Sequence, residues 1–141
     1  MKLNTTSQYA IRIVTFIVQN GSNNKYTAKD ISEKLSIPYK YMTKIMTLLV
    51  DGGIISSSRG REGGYCIEKE LAIIKIGDIL EAVKENLHQE ECVIGNGSCN
   101  KREKCILHDK WITAKKAMQE MFENTTLEDM ILESKTISSH Y

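Results

Sequence analysis

The segment from Thr27 to Val50, TAKDISEKLSIPYKYMTKIMTLLV, gives the strongest indication of how this chain folds. Thr27 and Asp30 form a capping box, which predicts that an amphipathic helix begins directly after Thr27. Pro38 ends that helix and suits the first turn of another, expected from about Tyr39 to Val50. Two helices joined by so short a turn predict a helix-turn-helix. The buried stripe of the first helix is predicted to be Ala28, Ile31 and Leu35.

The second helix of this pair has two chemically different sides. Its polar side has two lysines and two hydroxyls at i, i+3, i+4 and i+7 spacing: Lys40, Thr43, Lys44 and Thr47. Its apolar side is predicted to be Tyr41, Met42, Ile45, Leu48 and Leu49. In a helix-turn-helix, such a polar stripe is what the major groove of DNA would meet, although a solvated helix face gives the same pattern. Tyr39, at the start of the helix, joins the candidate DNA-binding residues.

The segment that follows predicts a β-hairpin. Two short β-like runs within residues 54–67 flank the glycine-rich tip RGREGG, residues 59–64. Arg59 and Arg61 at this tip can reach phosphates or a narrow minor groove. Helix, helix, recognition helix and hairpin are the order of a winged helix-turn-helix, expected over residues 1–70. Cys66 lies within the second run and is interpreted as a buried small side chain.

Segments on either side complete this domain. Residues 5–19 place apolar side chains at helical spacing, with Thr5 or Thr6 as the cap. Residues 71–90 predict a connecting helix that packs on the winged domain and leads into a cysteine-rich loop. The predicted fold class is mainly α with a small β-hairpin.

The composition is that of an ordinary soluble chain of one domain plus extensions, with 141 residues, 41% hydrophobic and 26% charged. Residues 1–66 have nine Lys or Arg against four Asp or Glu, a balance of +5, and residues 67–141 balance at −4. A basic half suits a polyanion. No run approaches the length of a membrane span. No Ser/His/Asp arrangement, phosphate-cradling loop or pair of catalytic carboxylates indicates an enzyme.

Three of the four cysteines lie close together, spaced Cys92-x6-Cys99-x5-Cys105, and His108 follows. Thiols grouped in this way form disulfides or hold a metal. The N-terminus does not resemble a secretory signal, so we expect a reducing, cytoplasmic compartment and a metal. The wide gaps and the glycines of the loop at residues 91–105 favour an iron-sulfur cluster, because structural zinc usually takes closely spaced cysteine pairs. Three cysteines and one histidine would also satisfy zinc.

A 2Fe-2S centre needs four protein ligands, and three thiols leave one position to a different residue. His108 is the candidate. Asn100 and Glu103 predict a helix that starts near Lys101, which would place Cys105 and His108 on one face. A neutral imidazole in place of a thiolate makes the oxidised site less negative and should raise its potential. The other candidates for the fourth ligand are His88, Glu90, Glu91, Asp109 or a residue from a partner subunit.

The helix predicted over residues 101–122 would be about 33 Å long. Its apolar residues step by 4, 3, 4 and 3 positions: Leu107, Trp111, Ala114, Met118 and Met121. That spacing is typical of the seam of a helix pair, and so long a helix on a small domain needs a second surface, which predicts a two-fold homodimer. Packing within one chain is the alternative. Residues 123–141 predict a short last helix, over residues 125–133, and a loose tail.

Taken together, these features resemble the bacterial winged-helix iron-sulfur transcriptional regulators that include IscR, NsrR and CymR, and the IscR-like members in particular. The similarity runs over nearly the whole chain. The residues that carry it are Tyr9-Ala10, Asp30-Ile31-Ser32-Glu33, Arg59-Gly60, Gly63-Gly64-Tyr65, Cys92, Cys99, Cys105, His108, Trp111 and Thr126-Leu127. Each piece alone is weak, but the combination is specific.

The resemblance implies a cofactor. IscR-like members hold a 2Fe-2S cluster with three cysteines and one histidine, and His108 falls at the place of that histidine. NsrR-like members hold a 4Fe-4S cluster with an aspartate from the partner's first helix, where this chain has Gln8, a poor iron ligand. The chain departs from the family in two places: the first cysteine gap is one residue longer, and Thr43 stands where IscR has an acidic residue that tunes specificity.

The sequence therefore predicts a homodimeric DNA-binding regulator that senses iron-sulfur status, redox state or nitric oxide through a 2Fe-2S cluster. Its partner would be double-stranded DNA with a near-palindromic operator. Two alternatives remain open: an iron-sulfur carrier or electron-transfer protein, and a zinc-stabilised regulator without redox function. For the cofactor itself, a 4Fe-4S cluster or zinc is the alternative to 2Fe-2S.

Overall fold

The computed structural model describes residues 2–87, 92–94, 97, 99 and 102–132. Within them the chain forms six α-helices, a 3₁₀ turn and a two-stranded antiparallel sheet. The elements are α1 Thr5–Gln19, α2 Ala28–Leu35, α3 Tyr39–Asp51, β1 Ser56–Ser58, β2 Gly64–Cys66, the 3₁₀ turn Leu71–Ile73, α4 Ile76–Ala82, α5 His108–Asn124 and α6 Leu127–Leu132. None of the described helices is both long and apolar enough to cross a bilayer.

The predicted helix-turn-helix is confirmed in α2 and α3. The Thr27 hydroxyl accepts a hydrogen bond from the backbone N–H of Asp30 at 3.1 Å, and the Asp30 carboxylate accepts one from the N–H of Thr27, so the capping box forms. Between the helices, Ser36 adopts a left-handed conformation with φ of 54°. The Ser32 hydroxyl donates to the carbonyl of Ile37 at 2.6 Å and closes the turn. Pro38 occupies the N-cap position of α3.

The apolar face of α3 differs from its prediction at two positions. Met46 is fully buried, although it is not among the residues predicted for this face. The prediction that Tyr41 belongs to the buried side is wrong, because Tyr41 is 44% exposed. The physical reason is that α3 packs against α1, α2 and α4 through the face that contains Met42, Met46 and Leu49. Tyr41 lies at the edge of that face. The side chains that α3 buries are Met42, Ile45, Met46 and Leu49.

The predicted hairpin is present as the wing, in which β1 and β2 pair antiparallel with Ser57 opposite Tyr65. The backbone of Tyr65 also exchanges hydrogen bonds with that of Tyr26, which ties the wing to the segment before α2. Gly64 has φ of 151°, and a Cβ there would lie 2.8 Å from the carbonyl oxygen of Tyr26. Only glycine permits this approach, because any side chain would collide with that backbone. Cys66 is buried, as predicted.

Helix α1 lies at the centre of the core. Its cap is Asn4, whose side chain accepts from the N–H of Ser7 at 2.8 Å, so the prediction of Thr5 or Thr6 as cap is wrong by one or two positions. Helix boundaries are commonly misplaced by that much. The side chains of α1 that are completely buried are Ser7, Ala10, Ile13, Val14, Thr15 and Ile17.

The connecting segment contains fewer helical residues than predicted. A continuous helix over residues 71–90 is wrong, because the structure has the 3₁₀ turn and then only seven residues of α4. Lys84 follows in a left-handed conformation with φ of 64°, which an L-residue adopts at a cost and which ends the helix. The backbone of Lys75 pairs with that of Thr126, so α6 returns to this segment and buries Leu127. Residues 88–90 and the predicted tail at 134–141 lie outside the described residues.

Helix α5 begins at His108 and ends at Asn124, so it is about 26 Å long. The prediction of a helix over residues 101–122 is therefore wrong at its start, and Asn100 and Lys101 lie outside the described residues. Residues 102–107 are not helical. Ile106 is 94% exposed, so an additional helical turn there would bury no apolar side chain. Short helical turns depend on such packing for stability.

Candidate DNA interface and metal-ligand site

The polar side of α3 is available to a partner. All four of its predicted DNA-facing side chains, Lys40, Thr43, Lys44 and Thr47, are exposed. The Thr47 hydroxyl donates to the carbonyl of Thr43 at 2.8 Å, and its oxygen keeps the capacity to accept a further hydrogen bond. Tyr39, at the first position of the helix, is 58% exposed. The recognition face thus presents two cations, two hydroxyls and a phenol.

The wing tip presents the two predicted arginines. Arg59 and Arg61 are both exposed, in the turn between β1 and β2. Gly60 between them has φ of 104°, and its carbonyl accepts a hydrogen bond from the N–H of Gly63 at 3.1 Å. This closed turn holds the arginines at the end of a short hairpin, where guanidinium groups can reach phosphate oxygens.

The cysteine segment and the start of α5 meet at one contact. The Sγ of Cys99 lies 3.1 Å from the Nδ1 of His108. His108 is only 7% exposed and is the buried residue of α5. The N–H of Cys92 donates to the carbonyl of Gly97 at 2.7 Å, which closes part of the loop. The structure therefore joins one predicted thiol ligand to the predicted imidazole ligand.

The remaining predicted ligands are not gathered in the same way. Cys105 is exposed and precedes α5, so the prediction that it shares a helix face with His108 is wrong; its carbonyl instead accepts the N–H of His108 at 3.1 Å. Among the residues that the structure describes, no three His, Cys, Asp or Glu side chains are grouped closely enough to hold a metal ion. By chemistry the donors fit an iron-sulfur cluster or zinc, because both take thiolate and imidazole ligands.

Of the residues named as alternative fourth ligands, Asp109 lies within the described part of the chain. The carboxylate of Asp109 lies 3.3 Å from the ammonium of Lys104, and its side chain is 84% exposed, so it faces a lysine and solvent. His88, Glu90 and Glu91 lie outside the described residues. Cys66 is buried in the wing, consistent with a packing role.

A contact that the sequence did not indicate lies between the start of α1 and the segment that leads toward the cysteines. The carboxylate of Glu85 accepts a hydrogen bond from the Ser7 hydroxyl at 2.6 Å and another from the N–H of Asn4 at 3.0 Å. These partners are 78 and 81 positions apart in sequence, and no local pattern marks them. Glu85 thus anchors the N-terminus of the central helix to the segment that precedes the cysteines in sequence.

The outer surface of α5 has exposed apolar side chains among its charged and polar ones. Leu107 is 43% exposed and Met121 is 53% exposed, and Ala114 is also exposed. A groove of about 310 Å³ runs beside the helix. Its apolar lining is Leu3, Leu87, Trp111, Met118, Met121 and Phe122. Of the predicted seam residues in the described subunit, Leu107, Ala114 and Met121 are exposed, and Trp111 and Met118 are half-buried along the groove.

This combination of a winged module and a cysteine segment before a long helix matches a sequence family. The profile of the Rrf2 family, described as an iron-dependent transcriptional regulator, matches residues 3–133. This chain belongs to the Rrf2 family. Its members are transcriptional regulators and not enzymes, and DNA-binding regulation is the function of this Rrf2-family chain.

Individual relatives agree with this assignment. The protein Rrf2 of Nitratidesulfovibrio vulgaris strain Hildenborough is 33% identical over 131 residues, which cover 93% of this chain and 87% of the relative. The regulator IscR of Klebsiella pneumoniae strain 342 is 28% identical over 131 residues, 93% of this chain and 80% of the relative.

Solved structures of other regulators have the same fold. The global cysteine regulator CymR of B. subtilis superposes with a TM-score of 0.79 at 23% identity, covering 94% of this chain and 98% of that one. IscR of T. potens superposes with a TM-score of 0.72 at 22% identity, covering 100% and 97%. These similarities confirm the predicted winged-helix fold of this Rrf2-family chain.

Proposed function

We propose that this Rrf2-family regulator is a homodimer that senses iron-sulfur supply, redox state or nitric oxide through a 2Fe-2S cluster held by Cys92, Cys99, Cys105 and His108. The observation that carries the proposal is the 3.1 Å contact between the Sγ of Cys99 and the Nδ1 of His108. When bound, such a cluster supplies one-electron redox chemistry and sensitivity to oxidants. Every other part of the proposed switch depends on the residues of the chain itself.

The location of this contact links the ligands to the rest of the regulator. His108 is the first residue of α5, so a cluster bound there would also fix where α5 begins. In the segment that precedes the cysteines in sequence, Glu85 holds the start of α1, which packs against α3. To regulate, the bound group must favour one arrangement of the recognition helices over another. Helix α5 packs against α4, which in turn contacts α1 and α3 of the DNA-binding domain.

The apolar side of α5 supports the dimer. Leu107, Ala114 and Met121 are exposed at the spacing of a helix seam, and a second copy of the same helix would cover them. A two-fold dimer would present two copies of α3 to one duplex. The two-fold symmetry of such a dimer would be matched by a near-palindromic operator. Its two half-sites would lie about 34–36 Å apart, the spacing of recognition helices in neighbouring major grooves.

To test the proposed function, the protein is purified without oxygen and used to select its binding site from random DNA duplexes. We expect the selected site to be near-palindromic. We also expect the protein to contain iron and sulfide and to absorb visible light, and the loaded and cluster-free forms to bind the site with different dissociation constants. Equal dissociation constants for the two forms would remove the sensor from the proposal. Rapid transfer of the cluster to an acceptor protein, with no selected site, would indicate a carrier instead.

A zinc-stabilised regulator is the second candidate, and the same contact favours it, because one thiol and one imidazole are also zinc ligands. The two candidates differ in colour. A colourless protein with stoichiometric zinc after purification without oxygen would favour zinc and exclude the redox function.

A wing contact with DNA phosphates predicts a specific salt dependence. Replacing Arg59 by alanine is expected to weaken binding at low salt and to lower the slope of log Kd against log salt by about two for the dimer. The reason is that each of the two wings loses one phosphate contact, and each contact releases about one counterion. The measurement is a titration of the selected duplex at several salt concentrations. Lys116→Ala on α5, an exposed cation away from the wing, is the control and should leave the slope unchanged.

A further inference from the structure

Two tyrosines join the central helix to the recognition helix. The ring centroids of Tyr9 in α1 and Tyr41 in α3 are 6.0 Å apart, with an angle of 38° between their planes. Each ring also meets a cation on its own helix. The Nζ of Lys40 lies 4.9 Å from the Tyr41 centroid, and the guanidinium carbon of Arg12 lies 5.8 Å from the Tyr9 centroid. The order is therefore Arg12, two adjacent rings and Lys40, with one cation at each end.

One end of this arrangement is fixed. The Arg12 guanidinium donates a hydrogen bond to the carbonyl of Leu35 at 2.7 Å, which ties α1 to the end of α2. Tyr9 packs against the hydrophobic core. Tyr41 is partly exposed and Lys40 is exposed. The rigid end is thus on α1, and the open end is the ammonium of Lys40, on the polar side of α3.

We propose that Tyr41 is a positioning residue for Lys40 in DNA binding. The face of a tyrosine ring attracts an ammonium, and the contact with Tyr9 holds that ring in place. A lysine side chain has large rotamer entropy, which is lost when it binds a phosphate or a base. A ring that already restricts the ammonium reduces this loss and strengthens binding. The proposal rests on the proposed function, in which Lys40 meets DNA.

The expected effect is moderate and specific to the ring. Tyr41→Leu keeps an apolar side chain but removes the ring, and it should raise the dissociation constant of the selected duplex about two- to five-fold for each Lys40 that meets the duplex. Tyr41→Phe keeps both the ring and its contact with Tyr9, and should bind like the native protein. Because Tyr41→Phe removes only the phenol hydroxyl, it is the matched control for the loss of the ring.

A double-mutant cycle separates positioning from structure. In a Lys40→Gln background, Tyr41→Leu should have no further effect on the dissociation constant, because the cation that it positions is absent. An equal loss in both backgrounds, or tighter binding by Tyr41→Leu alone, would overturn the positioning role and leave the DNA contact of Lys40 intact. If Lys40→Gln itself binds like the native protein, the DNA contact fails as well, so the two failures are distinguishable. Thermal unfolding of each variant checks that the fold is retained.

Discussion

Replacing Cys99 by alanine is expected to abolish the binding of iron and acid-labile sulfide, whereas Cys66→Ala should leave both unchanged. The two substitutions remove the same atom from different environments. Cys99 contacts His108, but Cys66 is buried in β2 of the wing. A 2Fe-2S cluster requires four protein ligands, and alanine supplies none. The measurements are iron, sulfide and visible absorbance after purification or reconstitution without oxygen.

The companion variant for this prediction is His108→Ala. If the imidazole is the fourth ligand, the variant should lose the cluster or hold it with a changed spectrum and a changed reduction potential. The reason is that the substitution alters both the charge and the donors around the iron. A native spectrum and potential in His108→Ala would remove this residue from the ligand set. Full iron and sulfide in Cys99→Ala would contradict the cluster assignment.

Replacing Ala114 by glutamate is expected to disrupt the proposed dimer, with an increase of at least about 100-fold in its dissociation constant. Ala114 lies in the middle of the predicted seam on α5 and is exposed within the subunit, so the fold of each subunit should survive the change. In a two-fold dimer the two glutamates would lie across the same interface. Like charges placed opposite each other there cost several kcal/mol.

The control for the dimer prediction is Lys116→Glu. Lys116 lies on the same helix about half a turn from Ala114, and its side chain is 75% exposed. Sedimentation or light scattering across a range of concentrations should give a monomer for Ala114→Glu and a dimer for Lys116→Glu. A stable dimer in both variants would show that another surface joins the subunits. Loss of DNA affinity should accompany the monomer, because two recognition helices would no longer bind together.

The candidate cluster site and the predicted dimer surface lie on the same helix, so coupling between them can be tested. The candidate ligand His108 is the first residue of α5, and Ala114 lies less than two turns along the same helix. If a bound cluster fixes the start of this helix, cluster-free protein should have a weaker dimer than loaded protein. Measuring the dimer dissociation constant with and without the cluster would reveal this coupling, which must be reciprocal.

The DNA-binding module could be predicted from the amino-acid sequence, because its signals are local. The capping box of Thr27 and Asp30, the turn at Pro38 and the glycine-bounded wing act through backbone conformation and neighbouring hydrogen bonds, so a few adjacent residues specify them. Residue type and spacing also predict a soft-metal site at Cys92, Cys99, Cys105 and His108, and this assignment stays a prediction.

The remaining features depend on the folded chain, because burial and contacts between distant segments have no local signature. Helix α5 begins at His108, and residues 102–107 before it are all exposed, although Asn100 and Glu103 suggested an earlier start. Only the folded chain shows that the Sγ of Cys99 contacts the Nδ1 of His108 and that the ring of Tyr41 packs against the ring of Tyr9. Each of these depends on where whole helices lie, which is set by the shared hydrophobic core and not by the sequence near any one of them.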